Sequence, residues 1–134
     1  MSLFKFPTDL KHVKEASKKV LDHLNDLKLD EAVLFDIKLC FEEAFINAVK
    51  YGNELNSRLT VNVEILKRAQ EIEIIVCDCG KECDLQKLED PTEEKNLTKT
   101  HGRGFFIIKK LMDKVWFDYD CGNRIHMIKK IKGA

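Results

Sequence analysis

The chain has 134 residues, 44% hydrophobic and 34% charged, enough for one domain with its own core. Lysine plus arginine and aspartate plus glutamate number 23 each, so no global charge draws the chain to nucleic acid or anionic lipid. No apolar run reaches the roughly 20 residues of a membrane span, and Met1 onward lacks the pattern of an export signal, so the expected location is the cytoplasm.

Leu3 to Phe6 reads as a short strand closed by Pro7. A helix is expected from Thr8, with Thr8 as N-cap and apolar residues at Leu10, Val13, Ala16, Val20, Leu24 and Leu27. A second helix is expected from about Asp30, its cap, to Tyr51, ended by Gly52-Asn53. The period then changes. Leu59 to Ile65 alternates apolar and polar residues, and Ile72 to Cys77 is a more continuous apolar run. The two form a hairpin across Lys67 to Gln70. Lys81 to His101 is polar, with at most a short helical piece near Leu85 to Leu88, and so long an irregular stretch is usually functional. A third helix follows from about Gly104 to Lys114. Val115 to Asp120 and Arg124 to Ile131 close the chain as a hairpin around Cys121-Gly122-Asn123. This order fits a single α+β domain over residues 1–134: two layers, a mixed or mostly antiparallel sheet with three helices on one face.

The five cysteines, Cys40, Cys77, Cys79, Cys83 and Cys121, are expected to be free thiols, an odd set without an export signal. The C-x-C-x3-C run from Cys77 has no second paired motif and is a weak zinc signal.

Three segments carry chemistry. On the second helix, Asp36, Glu43, Asn47 and Lys50 fall on one stripe beside the apolar arc. Glu43 and Asn47 are four apart and neighbours on that face. An amide oxygen can serve Mg²⁺ and a carboxylate can take the proton of an attacking hydroxyl, although a solvated stripe has the same spacing. Asp78-x-Gly80 ends the apolar strand and can present a carboxylate to an exocyclic amine, or merely turn the chain. Gly102-Arg103-Gly104 opens the third helix, where free amides favour phosphate, and where glycines also give a flexible entry.

In this order the three segments resemble the N, G1 and G2 boxes of the superfamily that includes DNA gyrase, histidine-kinase catalytic domains and mismatch-repair ATPases. Glu43 to Gly52 and Gly102 to Asp113 are similar to the anti-sigma factor serine kinases. The resemblance spans nearly the whole chain and implies a Bergerat-type ATP-binding fold that uses ATP and Mg²⁺. It implies Glu43 as catalytic base, Asn47 as Mg²⁺ ligand, Asp78 for the adenine amine and Gly80 as room for the base. It further implies Gly102, Arg103 and Gly104 around the triphosphate, Lys50 and Thr98 as further contacts, and Lys81 to His101 as a lid. The implied activity is serine/threonine phosphorylation of a small anti-anti-sigma partner of STAS type, with a sigma factor bound in an alternative state and a homodimer as the working form. The chain departs from the family pattern at Glu82, where a second glycine is common, at Cys83, an aromatic position, and at Thr100, where some members carry arginine. The alternatives are a non-catalytic ATP-binding switch that sequesters partners, which has no need of Glu43; a detached histidine-kinase catalytic domain; and a cysteine-based metal or redox module.

Overall fold

The computed structural model describes residues 2–56, 58–78, 105–119 and 122–131. Five strands form one sheet: β1 (Ser2–Pro7), β2 (Thr60–Lys67), β3 (Glu71–Cys77), β4 (Lys114–Tyr119) and β5 (Asn123–Lys130), in the order β1-β2-β3-β5-β4. Every described pairing is antiparallel, so the mixed option is excluded among these residues. The α+β class stands.

Alternation builds one apolar sheet face. Phe6, Val61, Val63, Ile65, Ile72, Ile74, Val76, Phe117, Ile125 and Met127 all lie in the core. The register places Val63 opposite Val76, and Ile74 opposite Met127, so the apolar side chains stack across strands. Three helices cover this face: α1 (Val13–His23), α2 (Glu31–Asn47) and α3 (residues 105–111). They contribute Ala16 and Val20, then Ile37, Phe41, Ala44 and Phe45, then Ile108. Phe6 meets Phe45 edge to face at 5.7 Å, which fixes α2 over β1.

Both expected hairpins are present, with boundaries moved by one or two residues. β2 continues to Lys67 because the ladder with β3 does, pairing Lys67 with Ile72. The first helix does not begin at Thr8. Asp9 caps a 3-10 turn (Leu10–His12) by accepting from the Lys11 N–H at 3.0 Å, and the α-helix starts at Val13. Thr8 is instead buried, donating its hydroxyl to the Leu59 carbonyl at 2.7 Å and accepting from the Asn53 amide at 2.9 Å. Asp30 does precede α2, with extended backbone, but its side chain makes no capping bond.

α2 does not end as an α-helix. Ala48–Gly52 forms one π turn, closed by Asn53 N–H to Ala48 C=O at 2.8 Å. Asn53 is fully buried and also donates to the Thr60 carbonyl, tying the end of α2 to the start of β2. The third helix is shorter than expected. The Asp113 N–H turns to the Ile128 carbonyl at 2.8 Å, Lys129 Nζ takes the Leu111 carbonyl at 2.7 Å, and Lys114 already belongs to β4. The irregular stretch 81–101, with its helical piece near Leu85, lies outside the described residues.

Candidate nucleotide site at the end of the second helix

α2 lies across the sheet with one polar stripe beside its buried arc. Asn47 is 7% exposed, and among the described residues its Nδ2 has no hydrogen-bond partner. An enclosed amide left unpaired carries a desolvation cost of roughly 1–3 kcal/mol, which a ligand with an acceptor oxygen would relieve. One turn earlier, Glu43 is half-buried and makes no hydrogen bond or ion pair among the described residues. Lys50 falls in the π turn and is exposed. Asp36, at the far end of the stripe, is committed to structure: it receives Lys129 Nζ at 3.1 Å.

Asp78 follows β3 directly and is 6% exposed. Its N–H donates to the Asn123 carbonyl at 3.1 Å, continuing the β3–β5 ladder by one rung. In return the Asn123 N–H donates to Asp78 Oδ1 at 2.6 Å, and Asn123 Nδ2 contacts Oδ2 at 3.3 Å. Two glycines close the cradle. A Cβ on Gly52 would lie 2.7 Å from the Asp78 Cγ, and one on Gly122 would lie 2.8 Å from the Asp78 carbonyl oxygen. Gly52 stands five residues beyond Asn47, so the π turn carries the α2 stripe to the end of β3.

Glu43 and Asn47 thus lie on α2, and Asp78 follows β3, which the π turn after α2 reaches through Gly52. The sequence reading missed Gly122 and Asn123, which it treated only as a hairpin turn, and it read Gly52 only as a helix stop. Gly80, Thr98, Gly102, Arg103 and Gly104 lie outside the described residues, as does the lid from Lys81 to His101.

The donor set fits Mg²⁺ with a triphosphate. Mg²⁺ takes oxygen ligands and commonly accepts only one or two from protein, the rest coming from phosphates and water. The Asn47 amide oxygen is a donor of the kind Mg²⁺ accepts, while its enclosed Nδ2, unpaired among the described residues, is free to donate to an acceptor such as a phosphate oxygen. Among the described residues no group of three or more histidine, cysteine or acidic side chains could hold a metal alone.

The cysteine expectation needs correction. Cys77, at the end of β3, is disulfide-bonded, while Cys40 is free and buried. Burial, with the charges of Asp36 and Glu43 added and Lys129 opposing, pushes the Cys40 thiol up to about 12, so it is no nucleophile at neutral pH. Cys79, Cys83 and Cys121 lie outside the described residues.

The opposite sheet face holds a second polar network. His126 lies between Glu73 Oε2 at 2.7 Å and Asp118 Oδ2 at 2.9 Å, with Trp116 stacked on its ring at 4.7 Å. Arg68 reaches Glu73 at 2.7 Å, and Arg124 makes a two-pronged pair with Asp118. Burial alone would raise Glu73, but the bonds from His126 and Arg68 outweigh it and hold its carboxyl below the usual value. The Arg124 guanidinium does the same for Asp118. None of these residues lies on the α2 stripe, and the network reads as a structural clamp across β3, β5 and β4.

Residues 6–129 match the model of the histidine kinase-like ATPase domain. The chain is 31% identical over 102 residues to the serine-protein kinase RsbW of Listeria monocytogenes serovar 1/2a, covering 72% of this chain and 65% of that protein. The RsbW of Staphylococcus aureus strain MSSA476 is 31% identical over 106 residues, with the same coverage. The chain therefore spans about two thirds of the length of these curated relatives. Among solved structures, the SiaB–SiaC complex of Pseudomonas aeruginosa superposes with a TM-score of 0.58 at 12% identity, over 98% of this chain and 90% of the other. The catalytic domain of the histidine kinase ThkA gives 0.56 at 13% identity, over the full length of both. The fold, the order of the elements and these matches agree: the chain belongs to the histidine kinase-like ATPase domain family.

Proposed function

We propose that the protein is an ATP-dependent serine/threonine protein kinase of the anti-sigma type, acting on a small anti-anti-sigma partner in a cytoplasmic partner-switching circuit. The observation that carries the reading is the enclosed Asn47 amide, whose Nδ2 has no partner among the described residues and could donate to a phosphate oxygen, one turn from a half-buried Glu43 that has no described partner. A module that only bound partners would gain stability by replacing both residues with apolar ones. The RsbW relatives, named as serine-protein kinases, and the SiaB–SiaC complex support a protein partner as the acceptor.

In this reading the Asn47 amide oxygen would hold Mg²⁺, which would supply positive charge to the transferring group. Asp78 accepts from the adenine amine, and Lys50, Thr98, Gly102, Arg103 and Gly104 complete the triphosphate contacts. Glu43 takes the proton of the partner's hydroxyl as that oxygen bonds to the γ-phosphorus and the bond from phosphorus to the β,γ-bridging oxygen breaks. The working form is a homodimer, with a sigma factor as the alternative bound partner.

The test is incubation of the protein with γ-labelled ATP, Mg²⁺ and a panel of purified STAS-type domains. Label on a serine or threonine of one domain, absent with Glu43→Gln, is the expected result. ATP binding without transfer to any panel member, together with unchanged partner binding in Glu43→Gln, would leave a non-catalytic switch instead.

A further inference from the structure

α1 and α2 leave an open groove of about 440 Å³ between them, away from Glu43 and Asn47, and Ser17 lines it. The Ser17 side chain is 2% exposed, yet its hydroxyl has no hydrogen-bond partner. A serine inside a helix commonly returns its proton to the carbonyl one turn back. Here it does not, so a buried donor stays unsatisfied in the wall of a cavity, at a desolvation cost that a ligand would relieve.

Charge surrounds this hydroxyl. Lys14 and Lys18 stand one turn apart on α1, and Lys38 lines the groove from α2. Each helix also places a carboxylate one turn beyond a lysine, Asp22 after Lys18 and Glu42 after Lys38. A lysine that precedes its acid is the weaker order for a helical ion pair. None of these five side chains forms a salt bridge among the described residues, whereas Glu15, which precedes Lys19, does pair with it at 3.9 Å. Three unpaired ammonium groups against two carboxylates disfavour a metal cation, and a net charge of one is too small for a polyanion such as nucleic acid. One small oxyanion suits both the charge and the volume.

The two carboxylates narrow the choice further. They repel an anion that has only acceptor oxygens. Inorganic phosphate differs from sulfate and from the dianion of a phosphate monoester, because as hydrogen phosphate it keeps a P–O–H at neutral pH. It can accept from ammonium and hydroxyl groups and donate to a carboxylate at once. We propose that the groove between α1 and α2 is a binding site for hydrogen phosphate. The Ser17 hydroxyl donates to one phosphate oxygen, Lys14, Lys18 and Lys38 supply the positive charge, and Glu42 or Asp22 accepts the phosphate proton. The site is independent of the nucleotide site, and the inference stands whatever the fate of the kinase reading.

The test is titration of isotopically labelled protein with inorganic phosphate at constant ionic strength, chloride being the balancing anion. Backbone amide shifts separate the groove from the nucleotide site by position. Saturating shifts over residues 14–22 and 38–42 are expected, with sulfate binding at least about tenfold more weakly, the scale of one hydrogen bond to a charged group. Ser17→Ala should weaken phosphate by about tenfold while its melting temperature holds or rises, since the hydroxyl it removes has no partner. Shifts confined to the surroundings of Asn47 and Asp78, or a drift that does not saturate, overturn the site. Sulfate binding as tight as phosphate overturns the part given to the carboxylates and with it the choice of hydrogen phosphate. Unchanged phosphate affinity in Ser17→Ala overturns the role of the hydroxyl. Should that variant fold poorly, the double variant Lys18→Gln with Lys38→Gln, both exposed positions, answers in its place, and wild-type phosphate affinity there overturns the proposal.

Discussion

Gly52 rests against the carboxylate of Asp78 with no room for a side chain: a Cβ there would overlap Oδ2 and approach Cγ to 2.7 Å. The two residues belong to different elements, the π turn after α2 and the end of β3, and their contact joins the α2 stripe to the carboxylate at the end of β3. Gly52→Ala should therefore push Asp78 out of its bond with the Asn123 N–H. We expect a loss of about 1–3 kcal/mol in stability from overpacking, and a parallel loss of ATP affinity. Denaturant unfolding beside calorimetry checks both. Unchanged ATP binding in a folded Gly52→Ala protein would detach the π turn from the base site.

Asn47→Ala should separate binding from stability. Its Nδ2 is enclosed without a partner, so removing it relieves a desolvation cost even as it opens a small cavity. The melting temperature should hold or rise, while the Mg²⁺-dependent part of ATP binding falls at least tenfold. A melting temperature that drops by several degrees with Mg·ATP binding intact would make Asn47 a structural residue.

Glu43→Gln keeps shape and removes the carboxylate proposed as base. Phosphotransfer to the acceptor domain should fall by about 10²-fold or more, with ATP affinity within a factor of about two of wild type. Single-turnover kinetics with label in the γ-position is the measurement. Equal transfer rates would remove Glu43 from the chemistry.

The Glu73–His126–Asp118 clamp predicts acid sensitivity. Both carboxyls are held below their ordinary values in the fold, so their contribution is present above the unfolded values, near 4, and is lost as pH falls through the lower folded values. Wild type should lose stability steeply below about pH 4, and the double variant Glu73→Gln with Asp118→Asn should show a shallower slope there. Parallel pH profiles for the two proteins would show that the clamp contributes nothing to acid denaturation.

Much of this molecule is legible in its residues, because local pattern and final environment agree. The alternation of Val61, Val63 and Ile65 and the run of Ile72 to Val76 give strands, since Val61, Val63, Ile65, Ile72, Ile74 and Val76 then bury on one face. The stripe of Glu43 and Asn47 follows from helical spacing alone. Where reading and structure part, a tertiary contact decides. Thr8 has the chemistry of a cap, but Asn53 and Leu59, distant in sequence, engage its hydroxyl first, and the cap passes to Asp9. The third helix stops early because Lys129 and Ile128 of β5 take over its last polar groups. Asn123 stayed hidden for the same reason. Its turn chemistry is visible locally, whereas its partner Asp78 lies 45 positions away.

That separation has a consequence for how the chain comes to be competent. The pairing of Asp78 with Asn123 spans the seam between β3 and β5, so it cannot exist until the chain has been made through Asn123. Contacts so distant in sequence form late, after local hairpins and helices. A nascent chain that has packed α1, α2 and the β2–β3 hairpin would still have a free aspartate at its sheet edge. The proposed hold on the base would then arrive only with docking of the β4–β5 hairpin, and a molecule caught short of that step would be compact but silent.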